Sequence, residues 1–135
     1  MRRIVNCNEL GIPENQEFDL LQEISSRHFI AWVGDIPVGF GRIQILNNSE
    51  QQQFISIDRL GVISNYRTKG FAKYMLEQIL INIQQNMPTI KVITIKIPTT
   101  ESWIIEKMIS KGWQATTAPL ELRGNANYAI YAIQI

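Results

Sequence analysis

The sequence predicts one α/β (α+β) domain, a mixed sheet of about seven strands with three helices covering its faces. Three observations predict it. The hydrophobic period switches between two and 3.6 in the order strand, helix, three strands, helix, strand, helix, two strands. The length, 135 residues, suits a single core and is short for two. The composition, 45% apolar and 19% charged without repeats or a low-complexity linker, is that of an ordinary globular protein.

Residues 2–7 read as a short first strand, which Gly11 and Pro13 end. Over 14–24, Phe18, Leu20, Leu21 and Ile24 recur at helical spacing. Residues 28–33 and 36–46 read as strands of a hairpin closed by Gly34-Asp35, a pair suited to a tight turn. Pro37 stands near a strand start, where a missing N–H matters least. After the polar turn from Asn47 to Glu50, residues 53–63 alternate as a further strand. The spacing of Phe71, Ala72, Met75, Leu76, Ile79, Leu80 and Ile83 predicts a helix over 71–85, stopped by Asn86 and Pro88. Residues 91–97 carry β-branched side chains on both faces, as a central strand does. Thr99 and Thr100 offer a cap to a helix over 101–111, with Gly112 at its end and Trp103, Ile104, Met108 and Ile109 as its core face. Residues 113–117 and 128–135 supply the last two strands.

Thirteen basic against twelve acidic residues leave a net charge of +1, too little to hold a nucleic-acid backbone without a local patch. Cys7 is the only cysteine, which excludes an intrachain disulfide framework. It and the single His28 lie in no nucleophile turn, so core or surface filling is their expected role. Arg2 and Arg3 are followed by no apolar run of signal-peptide length, and no stretch approaches the roughly 18 apolar residues of a membrane span. A cytoplasmic protein binding neither membrane nor nucleic acid is expected.

The chemistry concentrates where the strand ending Asp58-Arg59-Leu60-Gly61-Val62 turns through Arg67-Thr68-Lys69-Gly70-Phe71-Ala72 into the strongest helix. A helix start leaves about four N–H groups without intrahelical partners and carries roughly half a positive charge, so it is a ready anion site. Gly70 lets backbone approach a ligand, Ala72 keeps the first turn open, and Arg67 and Lys69 bring charge. The spacings of a phosphate loop or a dinucleotide fold, Gly-x-x-x-x-Gly-Lys-Ser/Thr and Gly-x-Gly-x-x-Gly, are both missing.

Together, Leu60-Gly61-Val62 and Arg67-x-x-Gly70-x-Ala72 resemble the signature of the GNAT N-acetyltransferase superfamily, Leu-x-Val followed by Arg/Gln-x-x-Gly-x-Gly/Ala. Val38-Gly39-Phe40 and Lys111-Gly112-Trp113 are similar to flanking features of that family, and the element order matches from residue 28 onward. The resemblance implies a mostly antiparallel sheet splayed open between the strand of Leu60 to Val62 and the strand over 91–97. It implies acetyl-CoA as acyl donor and no metal. The backbone of Leu60, Gly61 and Val62 would line the pantetheine, Arg67, Thr68, Lys69, Gly70, Phe71 and Ala72 would hold the pyrophosphate, and the Val62 N–H would meet the thioester oxygen. The reaction implied is direct attack of an amine on the thioester, with Asp58 as candidate base; the alternative for Asp58 is a surface carboxylate paired with Arg59 or Arg42.

The sequence departs from the family at two positions. Met108 stands where many members carry the tyrosine that protonates the thiolate, and Glu101 where they carry an asparagine. Tyr128, Tyr131, Tyr66 and Tyr74, Tyr128 first, or bulk water are substitutes to consider, against a buried structural role expected of each tyrosine. The segment before His28 has room for one helix where the family often has two, so the amine acceptor is unreadable. Two rival readings follow from these departures, a CoA-binding regulatory module and an interaction domain dimerising through the last strand.

Overall fold

The structure, a computed structural model, describes residue 2 and residues 26–47, 49–67 and 69–135. The expected helix over 14–24, Cys7 and, apart from Arg2, the expected strand over 2–7 lie outside them. The described elements are β1 (Arg27–Val33), β2 (Ile36–Asn47), β3 (Gln53–Val62), α1 (Phe71–Asn86), β4 (Val92–Pro98), α2 (Ser102–Ser110), β5 (Gln114–Ala115), β6 (Glu121–Arg123) and β7 (Ala126–Gln134), with a 3₁₀ turn at Ser64–Tyr66. Two of the three expected helices are therefore among the described residues.

Periodicity placed β1 to β4 and both helices within one or two residues. The chain after α2 differs. The strand expected over 113–117 is two residues long, with Trp113 before it buried in the core and Thr116 after it still bonded to Ile130. A strand not expected, β6, pairs with the start of β7 across Gly124-Asn125. Short β5 and β6 together line one edge of β7 while β4 lines the other. The last strand is thus bonded along both sides, which leaves it no continuous edge for a second copy.

All seven strands form one sheet, in the order β1-β2-β3-β4-β7-β5 with β6 also on β7. Every pairing is antiparallel except β3 with β4. As expected, β4 is central, and its side chains Ile93, Ile95 and Ile97 are buried. They join Ile55 and Ile57 of β3, Ile79 and Ile83 of α1, and Met108 of α2 in one apolar cluster. The α1 side of the sheet is marked by the glycines of β2. A Cβ on Gly39 would meet Met75 Sδ at 2.5 Å, and one on Gly41 would meet Ile79 Cδ1 at 2.9 Å, so α1 lies directly against the strand. On α2, Met108 and half-buried Ile104 face this core, but Ile109 is exposed. Among the described residues no helix is long and apolar enough to cross a membrane.

Candidate functional site

The parallel ladder between β3 and β4 is short. It pairs Ile55 with Ile93, Ser56 with Thr94 and Ile57 with Ile95. Beyond Ile57 each strand continues against its antiparallel neighbour only, β3 against β2 as far as Val62 and β4 against β7 as far as Pro98. The sheet forks there.

A bulge marks the fork. Ile43 pairs with Ile57 and Arg42 with Arg59, so Asp58 is one residue more than β2 can match. Strict alternation would point Arg59 to the same side as Ile57, into the isoleucine cluster. The extra residue turns Arg59 to the opposite face beside Arg42 and brings Leu60 against the apolar cluster. A sequence read as simple alternation over 53–63 misses this exchange of faces.

On that opposite face the bulge carries a buried ionic group. The Asp58 carboxylate is held at two points by Arg42, Nε to Oδ1 at 2.9 Å and Nη2 to Oδ2 at 2.5 Å. Arg42 is fully buried and Asp58 is 6% exposed. Arg59 Nη1 lies 3.6 Å from Asp58 Oδ2 and donates to the Asp58 carbonyl at 2.8 Å. Arg123 Nη1 reaches the same carbonyl at 3.5 Å, and its guanidinium sits over the Tyr128 ring, 5.4 Å from the centroid. Asp58 and Tyr128 are thereby joined through Arg123, which the sequence reading overlooked. The signal available for it was Gly124-Asn125, a hairpin turn that would have put Arg123 at the end of a strand beside 126–134. The pairing expected of Asp58 with Arg42 or Arg59 is present, but buried instead of on the surface.

The fork exposes backbone. In an antiparallel pair successive residues turn their N–H and C=O alternately toward and away from the partner. The Ile63 N–H bonds the Val38 carbonyl at 2.9 Å, so the adjacent Gly39–Val62 pair has its own polar groups turned away from β2. The same phase holds for Leu60, opposite Gly41. Leu60 and Val62 therefore present N–H and C=O to the gap left by β4. On the other wall, the bond from Thr99 N–H to the Asn127 carbonyl sets the phase of β4 and turns the backbone groups of Lys96 toward the same gap. Gly61, between them, faces the other way, and a Cβ there would meet Phe40 Cζ at 2.5 Å.

From Val62 the chain passes through the 3₁₀ turn to Gly70, which caps α1 with φ +84° and ψ 7°. Glycine takes this left-handed conformation without strain, and a Cβ at Gly70 would find nothing within 4 Å. The cap supplies no side-chain acceptor, and the first turn of α1 holds no acidic residue. The first helical bond is from Tyr74 N–H to the Gly70 carbonyl. The N–H groups of Phe71, Ala72 and Lys73 therefore have no partner within the helix. Beside them, Lys69 Nζ stands 5.6 Å from the Tyr66 ring centroid, and Tyr66 meets Phe71 edge to face at 5.9 Å. Arg67 Nε donates to the Val62 carbonyl at 2.8 Å. Thr68 lies outside the described residues.

The remaining tyrosines fall elsewhere. Tyr131 belongs to the apolar cluster and Tyr74 is exposed on α1. Met108, where a proton donor was sought, is buried in the core. Glu101 is half-buried just before α2, where its carbonyl accepts from the N–H groups of Ile104 and Ile105.

The comparisons with known proteins agree with this fold. A model of the acetyltransferase (GNAT) family matches residues 3–95. No curated protein is matched by sequence. Among solved structures, a candidate N-acetyltransferase from Lactobacillus plantarum superposes with a TM-score of 0.76 at 20% identity, over 98% of this chain and 85% of that one. A GNAT family acetyltransferase from Elizabethkingia anophelis with acetyl-CoA bound gives 0.70 at 9% identity, over 93% and 87%. A Bacillus subtilis acetyltransferase in complex with CoA gives 0.68 at 14% identity, over 95% and 92%. At these identities the superpositions speak to the fold.

Proposed function

The chain belongs to the acetyltransferase (GNAT) family, and from that premise we propose that it transfers an acetyl group from acetyl-CoA to an amine by direct attack within a ternary complex. One observation carries the reading: the polar edge of Leu60 and Val62, opened where the β3–β4 ladder ends, is followed through one 3₁₀ turn, tied back by Arg67 to Val62, by the uncapped start of α1. A ligand with amide groups followed by a pyrophosphate suits that sequence of donors and acceptors. CoA has this order of groups.

In this reading the N–H groups of Phe71, Ala72 and Lys73 receive the pyrophosphate, with the macrodipole of a 16-residue helix behind them. Arg67, Lys69 and Gly70 line the approach. The pantetheine lies along Leu60, Gly61 and Val62, and the Val62 N–H stabilises the oxyanion as the amine attacks. A donor so placed is worth about 3 to 4 kcal/mol of barrier. The N–C bond forms first, giving the tetrahedral oxyanion; the amine gives its proton to water, and the C–S bond then breaks as the departing thiolate is protonated.

The proton steps are less well furnished. Asp58 lies two residues before Leu60, yet both of its oxygens already accept hydrogen bonds from the buried Arg42. We therefore assign Asp58 to holding the bulge, and hence the phase of the Leu60–Val62 edge, in preference to accepting the amine proton. Tyr128 is the tyrosine tied to this group, through Arg123, and is the proposed acid.

A second reading, a CoA-binding module with little turnover, is favoured by Met108 in the core and by the engaged Asp58. Both readings require CoA. Millimolar acetyl-CoA should raise the melting temperature of the wild type and leave Gly70→Glu unshifted, because the new carboxylate would occupy the pyrophosphate position. No shift in the wild type would sink both. Thioester cleavage with a panel of amines, abolished in Tyr128→Phe, separates enzyme from module.

A further inference from the structure

The bond between Arg67 and Val62 gives the arginine a task apart from its charge. The peptide group joining Val62 to Ile63 is the last of β3, where the strand leaves the sheet. It is held on both sides, its N–H by the Val38 carbonyl at 2.9 Å and its C=O by Arg67 Nε at 2.8 Å. The chain between the two partners is closed by Tyr66 N–H to the Ile63 carbonyl at 3.0 Å and Arg67 N–H to the Ser64 carbonyl at 3.3 Å. Arg67 thus reaches back over a tight turn of its own making and clamps the strand end that began it.

We propose that Arg67 is a positioning residue, a strut that fixes the exit of β3 so that the edge at Leu60 and Val62 and the start of α1 keep one relative placement. Three consequences follow. The rigidity resides in a hydrogen bond from Nε, so a neutral donor at the same place preserves it. One of the two lone pairs of the Val62 carbonyl is occupied, so an amide donor laid along the edge is directed to the Leu60 carbonyl. Loss of the strut releases the Val62–Ile63 peptide first, and with it the fixed direction of the Val62 carbonyl.

Glutamine and methionine separate the strut from the charge. The Gln Nε2 is bonded to Cδ, as Arg Nε is, so Arg67→Gln retains the donor and loses the charge; Arg67→Met keeps an apolar stem of similar length and loses both. In the ligand-free protein, amide hydrogen exchange at Ile63 and Tyr66 should accelerate about tenfold in Arg67→Met and stay within about threefold of wild type in Arg67→Gln, the scale of one lost charge-assisted bond. Wild-type exchange in Arg67→Met, or equal acceleration in both variants, overturns the strut. The second arm rests on the CoA reading: Kd for CoA should rise about tenfold in Arg67→Met and less than threefold in Arg67→Gln. An equal loss in both variants means that the charge touches the ligand, and overturns the positional link to binding. If the wild type binds no CoA while the exchange pattern holds, the function reading fails and the strut stands.

Discussion

The two ends of the β3–β4 pair are built from opposite materials. At the closed end, Ile55, Ile57, Ile93 and Ile95 are fully buried and the strands are joined by a parallel ladder. At the open end, one residue further on, Asp58 breaks the register, arginines replace isoleucines and the strands are no longer paired. The closed end is held by apolar packing, which is indifferent to direction. The open end is held by an ion pair and single hydrogen bonds, each with its own geometry. A cleft inside a continuous sheet needs both, a seam that stays shut and a bulge that stops the seam from propagating.

The comparison breaks most severely at Asp58. Asp58→Ala leaves Arg42 buried with its bidentate partner removed, and should cost about 3 to 5 kcal/mol in denaturant unfolding. Adding Arg42→Met to Asp58→Ala should recover most of that loss, since a buried pair replaced by apolar groups is often neutral. A double variant no more stable than Asp58→Ala would show that the bulge depends on more than this pair.

At the closed end, Ile95→Ala removes a side chain that is 0% exposed and should cost about 2 to 5 kcal/mol. The acetyl-CoA-induced rise in melting temperature should nonetheless persist in Ile95→Ala, because the fork lies beyond the seam. Gly61→Ala sharpens the contrast with a smaller effect. Its new Cβ meets the ring of Phe40, itself buried, and overpacking of this kind costs about 1 to 3 kcal/mol. A Gly61→Ala protein as stable as wild type would mean that the open end gives way easily.

The closed end was legible in the sequence and the open end was not. Alternating isoleucines over 91–97 and the heptad-like run from Phe71 to Ile83 announce a strand and a helix by their own periods. The start of α1 was legible as well, because Gly70 and the residues around it carry a local pattern. The bulge is a mismatch in count between two strands, so neither strand's period contains it. Arg42 reads as a polar residue among apolar neighbours until Asp58, sixteen positions away, is placed against it. Arg123 and β6 escaped because three residues form too short a run to show a period. Ile109, by contrast, matched the helical spacing and still faces outward, since α2 buries a narrower stripe than its apolar residues could cover.

The central claim is that the fork and the start of α1 form one continuous binding edge. Amide hydrogen exchange with and without saturating CoA tests it most directly. The account predicts slowing at Leu60, Val62, Phe71, Ala72 and Lys73 together, with Ile93 and Ile95 unchanged. Protection of the helix start alone, with Leu60 and Val62 exchanging as before, would contradict it.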